Sequence, residues 1–469
     1  MPDAQNLKEA LSYFDSWLAF SQRFQRIPGV QAAVFAEDAI AFSAAYGSAD
    51  VEQGVALTEQ HLFRIASHSK SFTATALLQL AEQGKVRLDD KVEMYVTEIV
   101  GTPLGERAIR ELLSHAAGVT RDSDSADFWQ LGAPFPDREH LLRVLQDPSA
   151  AVLADSERFK YSNIGYGLLG LVVEAASGTP YNTYVQTEIV DKLGLTGLGP
   201  ELDPARSNEY ATGYSALAYA DSRVPIDHVD TRALASATGF FGNARDLVSF
   251  WSAHLDGDVR LLTDDSKRKM QHAAWKTSDK DWPQYGLGLQ ISKVGERQIF
   301  GHSGGYPGHI TRSFVDAERR LVVSVLTNAI DGPATQLAEG LLKFVDLAES
   351  KPRPEAGPEA GVDAGLARFT GRFANLWGVF DIALLGGRLY VLDPASLDPT
   401  AEPTTLEPAG DDALRAVGGS GYQAVGETYR YTFTATGSVE SVRDSSGLLA
   451  HPIEGFTLPD RVQVSSVQA

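Results

Sequence analysis

Ser67-His68-Ser69-Lys70 runs directly into Ser71-Phe72-Thr73-Ala74-Thr75-Ala76-Leu77-Leu78-Gln79-Leu80-Ala81, an apolar stretch that ends near Gly84. A polar tetrapeptide opening an apolar run predicts a helix with a functional first turn and a buried body. Residues three apart lie on one helix face about one turn apart, so Lys70 can reach the Ser67 hydroxyl. A buried lysine gives up its proton far more readily than a solvated one, and the neutral amine can then activate the serine. Free N–H groups and the dipole at the helix start favour an oxyanion on an acyl group attacked by Ser67. The pattern alone is short. Ser266-Lys267-Arg268-Lys269 repeats it inside a run of charges with no apolar helix behind it.

Two more motifs have the same character. Tyr161-Ser162-Asn163 opens the apolar run Ile164-Gly165-Tyr166-Gly167-Leu168-Leu169-Gly170. A free phenol, with a pKa of about 10, is a poor base at neutral pH, but beside a lysine ammonium its phenolate is stabilised. Tyr161 is then suited to passing protons between Ser67 and a leaving group. Asn163 offers donors and an acceptor to hold Lys70 and a substrate carbonyl; the plainer alternative is a helix-capping Asn after an ordinary buried Tyr. His302-Ser303-Gly304-Gly305 reads as a strand edge facing a cleft, where Gly304 and Gly305 allow close backbone approach and the Gly305 amide is a second oxyanion donor. The remaining histidines show no metal-binding spacing. Neither a metal nor a cofactor is called for.

Around these motifs, helical periods alternate with short strands. Asn6 to about Phe24 is expected to be an amphipathic helix, and Val30–Tyr46 a hairpin turning at Glu37-Asp38. A strand at Leu321–Thr327 and a helix from about Ala334 to Leu347 close the segment, whose ends should meet on one sheet. Lys351–Gly365, rich in Pro and Gly, supports neither period and is expected to link a domain of residues 1–350 to one of residues 366–469. Beyond it the pattern is all strand. Phe380–Leu385 and Arg388–Leu392 flank Gly386-Gly387, a pair suited to a type I′ hairpin. Thr428–Thr436 alternates, with Tyr429, Tyr431, Phe433 and Ala435 pointing inward as in an antiparallel barrel.

Composition limits the function. The 469 residues carry 43% hydrophobic and 22% charged side chains, ordinary for a globular protein. Forty-one basic against sixty-one acidic residues give a net charge of -20, which repels nucleic acid and anionic lipid. With no cysteine, disulfides, thiolate metal sites and a Cys nucleophile are excluded. The start Met1-Pro2-Asp3 lacks a secretory signal pattern, so the cytoplasm is the default compartment, although a mature exported form would read the same. No apolar stretch reaches the ~20 residues of a membrane span. A small-molecule or short-peptide substrate is the expected partner, and a homo-oligomer is compatible with the sequence without being encoded in it.

The three motifs, in this order, closely resemble the serine β-lactamase-like and penicillin-binding superfamily, in the branch of class C β-lactamases, D-aminopeptidases, DD-carboxypeptidases and family VIII esterases. Ile109–Val119, Thr238–Leu247, Tyr285–Leu289 and Val325–Asn328 add to the similarity, which runs from about Gly29 to Leu347. The resemblance implies an α/β (α+β) transpeptidase-like domain, its antiparallel sheet flanked by helices and a helical subdomain, followed by a lipocalin-like β-barrel. It further implies Ser67 as the acylated nucleophile, Lys70 as its base, Tyr161 as proton shuttle, Asn163 as orienting group, and the Ser67 and Gly305 amides as oxyanion hole. His302 stands where β-lactamases carry the lysine of K-T-G, so the fixed cation that grips a substrate carboxylate is weakened to a partly charged imidazole. That favours hydrolysis of short peptides containing D-amino acids, with a carboxylesterase as the alternative and a non-catalytic relative as the reading from another class. Ser114 and His115 belong to a hallmark loop with a structural role, and Arg245-Asp246 reads as a helix start.

Overall fold

The computed structural model describes residues 3–123, 125–352, 362–419 and 425–458. Packing divides the chain into one unit of Gln25–Ala338 and another of Pro2–Phe24 with Glu339–Ala469. This differs from the division expected at residue 350. Of the linker expected at 351–365, residues 353–361 lie outside the described residues, and a short helix follows at Val362–Ala367.

The first unit is built on a nine-stranded sheet with Leu321–Thr327 near its middle. The expected hairpin forms from Gly29–Ala36 and Ala39–Asp50. Its turn residues Glu37 and Asp38 take φ of 52° and 60°, the left-handed values that match strand twist. Val30 pairs with Thr327 and Ala32 with Val325, so the two ends of this segment do meet on one sheet. Leu321–Thr327 is buried at every position, as a strand covered on both faces must be. The strand Arg297–Tyr306 pairs with His309–Asp316 and carries the third motif.

The helix Ser69–Glu82 is buried on every side from Ser69 to Leu80, which is why its sequence shows no polar stripe. Phe72 stacks between Phe240 and Phe250 at ring distances of 4.1 and 3.7 Å. Its buried hydroxyls would each cost free energy if left unpaired. They are bonded instead: Ser71 donates to the Gly288 carbonyl at 2.7 Å, and Thr73 to that of Ser236 at 2.7 Å. Helix Asn163–Ser177 packs beside it, with Ile109–Leu113 and Arg138–Gln146 forming the helical subdomain. Asn243 caps the helix Ala244–Ser252, so Arg245-Asp246 does lie in a first turn.

The second unit holds a closed barrel of eight antiparallel strands running from Gly371–Asn375 to Leu449–Pro452. Gly386 and Gly387 adopt φ of 61° and 69° between Gly378–Leu385 and Arg388–Leu392, the expected hairpin. Phe373, Ile382, Leu389, Leu414, Tyr431 and Val442 fill the interior. Tyr429 and Tyr431 point inward as expected, but the strand ends at Phe433 and Ala435 is exposed in the turn that follows. Helix Ala4–Phe24 belongs to this unit because its side chains bond there: Tyr13 donates to Asp381 at 2.9 Å, and Trp17 Nε1 donates to the Pro394 carbonyl at 3.1 Å. Both rings also meet Phe344 edge-on, at 4.8 and 5.3 Å.

Candidate active site

Ser67 lies in a tight 3₁₀ turn, Ala66–His68, that leads into the helix Ser69–Glu82. Ala66 is held at φ 47°, a left-handed conformation that costs a non-glycine residue about 1 kcal/mol or more. The turn is braced on both flanks. His68 bonds the Ile65 carbonyl at 2.9 Å and the Ser313 hydroxyl at 3.0 Å, while Ser69 donates to the Ala66 carbonyl at 2.6 Å.

One turn on, Lys70 is fully buried. Its Nζ lies 3.2 Å from Ser67 Oγ and 2.8 Å from both Asn163 Oδ1 and the Ala237 carbonyl. Burial holds its pKa well below the ordinary lysine value, Asp122 pulling it up and Arg121 down. Tyr161 donates its hydroxyl to Ser67 Oγ at 2.9 Å. Here the sequence expectation needs correcting: burial pushes this phenol above its ordinary value, so it stays protonated. The same burial disfavours the Lys70 ammonium that would have stabilised a phenolate. In Tyr161-Ser162-Asn163 the helix cap is Ser162, whose hydroxyl accepts from the Gly165 N–H at 2.8 Å, leaving Asn163 free to face Lys70.

Ser67, Tyr161, Asn163 and Gly305 line a cavity of about 370 Å³ together with Ser303 of the third motif and with Arg121, Trp129 and Gln290, to which the sequence assigns no role. Gly304 is buried behind this wall, where an added Cβ would sit 2.1 Å from the Ile65 carbonyl oxygen. It lets the strand press on the segment just ahead of Ser67. His302 is fully buried too. Its Nδ1 sits 2.7 Å from the Ser303 carbonyl, which can only accept, so Nδ1 carries the proton and Nε2 accepts from the Tyr285 hydroxyl at 3.0 Å. Burial, His68 and Lys70 hold its pKa well below the imidazole range. His302 is thus uncharged and away from the cavity lining, rather than a partly charged group facing a carboxylate. Among the described lining residues, Arg121 is the cation.

Asp122, which the sequence did not reveal, ties three residues of the site together. Its Oδ1 accepts from Asn163 Nδ2 at 2.7 Å and Trp129 Nε1 at 3.0 Å, and its Oδ2 from Arg121 Nε at 3.0 Å. The one signal was its place just past the Ser114–Val119 loop, in an Arg-Asp pair that reads as an exposed ion pair. That loop supports the site: the ring of buried His115 lies tilted against that of Tyr161, centroids 4.3 Å apart, and accepts the Ser162 N–H at 3.2 Å. The second serine–lysine pattern has no comparable setting, because Lys269 pairs with Asp265 at 2.7 Å. Among the described residues no group of three or more acidic or histidine side chains could hold a metal, and no helix is long and apolar enough to cross a membrane.

A serine braced by a lysine and a tyrosine, at the junction of a buried helix and an antiparallel sheet, defines a serine hydrolase of the transpeptidase-like fold. The Beta-lactamase family model matches residues 15–344, and the chain belongs to that family. It is 26% identical over 318 residues to penicillin-binding protein 4* of Bacillus subtilis, covering 66% of this chain and 69% of that protein. It is 24% identical over 372 residues to a putative D-alanyl-D-alanine carboxypeptidase of Escherichia coli K12, covering 69% and 83%. Among solved structures, the octameric penicillin-binding protein homologue from Pyrococcus abyssi superposes with a TM-score of 0.65 at 22% identity, over 94% of this chain and 99% of that one.

Proposed function

We propose that the chain hydrolyses amide bonds in short peptides containing D-amino acids, through an acyl-enzyme on Ser67. The observation that carries this reading is that one serine oxygen lies within 3.2 Å of a buried lysine amine and 2.9 Å of a tyrosine hydroxyl, on the wall of a cavity. A neutral lysine has two N–H donors and one lone pair. Asn163 Oδ1 and the Ala237 carbonyl, both pure acceptors at 2.8 Å, take the two hydrogens, so the lone pair is left for the Ser67 proton.

Ser67 Oγ attacks the carbonyl as its proton passes to Lys70, and the Ser67 and Gly305 amides receive the oxyanion. The C–N bond breaks as Tyr161 protonates the leaving amine, and the Lys70 ammonium returns a proton to Tyr161. Water then attacks the ester by the reverse relay, giving the acid and restoring the Ser67 hydroxyl.

The uncharged, buried His302 favours removal of an N-terminal or amide-linked residue over recognition of a C-terminal carboxylate. The same feature supports a second reading, a carboxylesterase for short acyl chains. D-Ala p-nitroanilide, p-nitrophenyl butyrate and nitrocefin assayed side by side separate them. The expected result is anilide turnover that Ser67→Ala abolishes; ester turnover alone favours the second reading, and turnover of all three that survives Ser67→Ala overturns both. For assembly, the octameric state of the Pyrococcus abyssi homologue supports a homo-oligomer.

A further inference from the structure

Asn163 can hold Lys70 usefully in only one of its two amide orientations, and its side chain does not choose between them. With the oxygen toward Lys70, an acceptor meets N–H donors; flipped, the amide NH₂ would face those donors and the lone pair would be drawn off Ser67. The choice is made on the far side. Asp122, 7% exposed, is an acceptor only, and its Oδ1 takes the Asn163 Nδ2 hydrogen at 2.7 Å. Trp129 Nε1 and Arg121 Nε hold the carboxylate from two other directions, each at 3.0 Å. The same bond leaves Asn163 one amide hydrogen for a substrate carbonyl.

We propose that Asp122 is a positioning residue of this site: it locks the Asn163 amide with its oxygen on Lys70, and thereby keeps the lysine lone pair on the Ser67 hydroxyl. The proposal rests on the acyl-enzyme reading above. Asp122 acts on the reaction through Asn163 and its charge. The charged and titratable groups around Lys70 are Tyr161 and Tyr166, whose rings lie 4.8 and 5.5 Å from Nζ, the buried neutral His115 and His302, and Arg121 and Asp122. Of the two charges, Asp122 favours the ammonium and Arg121 opposes it.

The test is Asp122→Asn, close in shape but uncharged and able to donate. It should lower kcat by on the order of 10²-fold with KM little changed, the size expected for a misplaced catalytic group. With the carboxylate gone the lysine deprotonates more easily, so the acid limb of kcat/KM should move to lower pH, a shift that loss of packing alone would not produce. In an Asn163→Ala background the same substitution should add almost nothing to the loss of kcat, which passes through Asn163, while the limb still moves because the charge acts on Lys70 directly. Asp122→Glu keeps the charge and should lower kcat without moving the limb; it also carries the test should Asp122→Asn not fold. Wild-type kcat in either variant, or losses at 122 and 163 that simply multiply, overturns the proposal. Fluorophosphonate labelling of the wild-type chain separates the two levels: without a Ser67 adduct the acyl-enzyme reading falls and this proposal with it, whereas an adduct alongside an indifferent Asp122→Asn removes this proposal alone.

Discussion

At the scale of single residues, burial decides the chemistry. Ser67, Lys70 and Tyr161 are legible in the sequence as candidates because their signals are local: a spacing of three residues in one case, a place just ahead of a helix cap in the other. Their protonation was not, because it depends on what covers them. The same desolvation that lowers Lys70 raises Tyr161 and silences His302, and it comes from chain segments far away in sequence. Asp122 was illegible for a related reason, since only the fold brings it to Asn163, 41 residues on. The protonation states set the pH dependence. A base must be neutral to act, and burial holds the proposed base Lys70 well below its ordinary value, so the acid limb of kcat/KM should lie below the ordinary lysine range and activity should fall as acid protonates the amine. A profile still climbing towards pH 10 would contradict this. Lys70→Met, similar in length, should lower kcat by about 10²–10⁴-fold.

Elements with a clear period or turn chemistry form where the sequence places them: the N-terminal helix, the hairpin turning at Glu37-Asp38, the Gly386-Gly387 hairpin. Ala435 falls outside the strand although the sequence keeps alternating, because pairing stops at Phe433. Composition marks a boundary near residue 350, whereas the packing of Tyr13 and Trp17 places the first helix in the C-terminal unit. At this scale the two motif glycines separate. An alanine Cβ at Gly304 would sit 2.1 Å from the Ile65 carbonyl oxygen and 2.4 Å from Thr311 Oγ1, whereas at Gly305 its nearest neighbour is Ile310 Cδ1 at 3.7 Å. Gly304→Ala should destabilise the protein by about 1–3 kcal/mol, as overpacking against a fixed backbone does. Gly305→Ala should stay within about 0.5 kcal/mol. Urea titrations of the two variants check this, and equal stabilities would mean that the strand does not press on the Ser67 turn.

For the molecule as a whole, buried histidines set the response to acid. Burial lowers His68 to about 3 and His228 and His254 to about 4, and it lowers His115, His302 and His309 as well. Unfolded, each titrates near 6.5. Below that pH the unfolded chain binds more protons than the folded one, so stability is complete above about pH 6.5 and is lost as pH falls towards the folded values. Each histidine adds up to about 1.4 kcal/mol per pH unit. The urea midpoint should therefore drop steadily between pH 7 and pH 5, and a flat midpoint would show that these rings are not buried neutral. The catalytic account itself is tested most directly on the intact chain, by mass spectrometry after treatment with a fluorophosphonate. It expects one adduct per chain, located on Ser67 and absent from Ser67→Ala; an unmodified chain, or an adduct on any other residue, would contradict it.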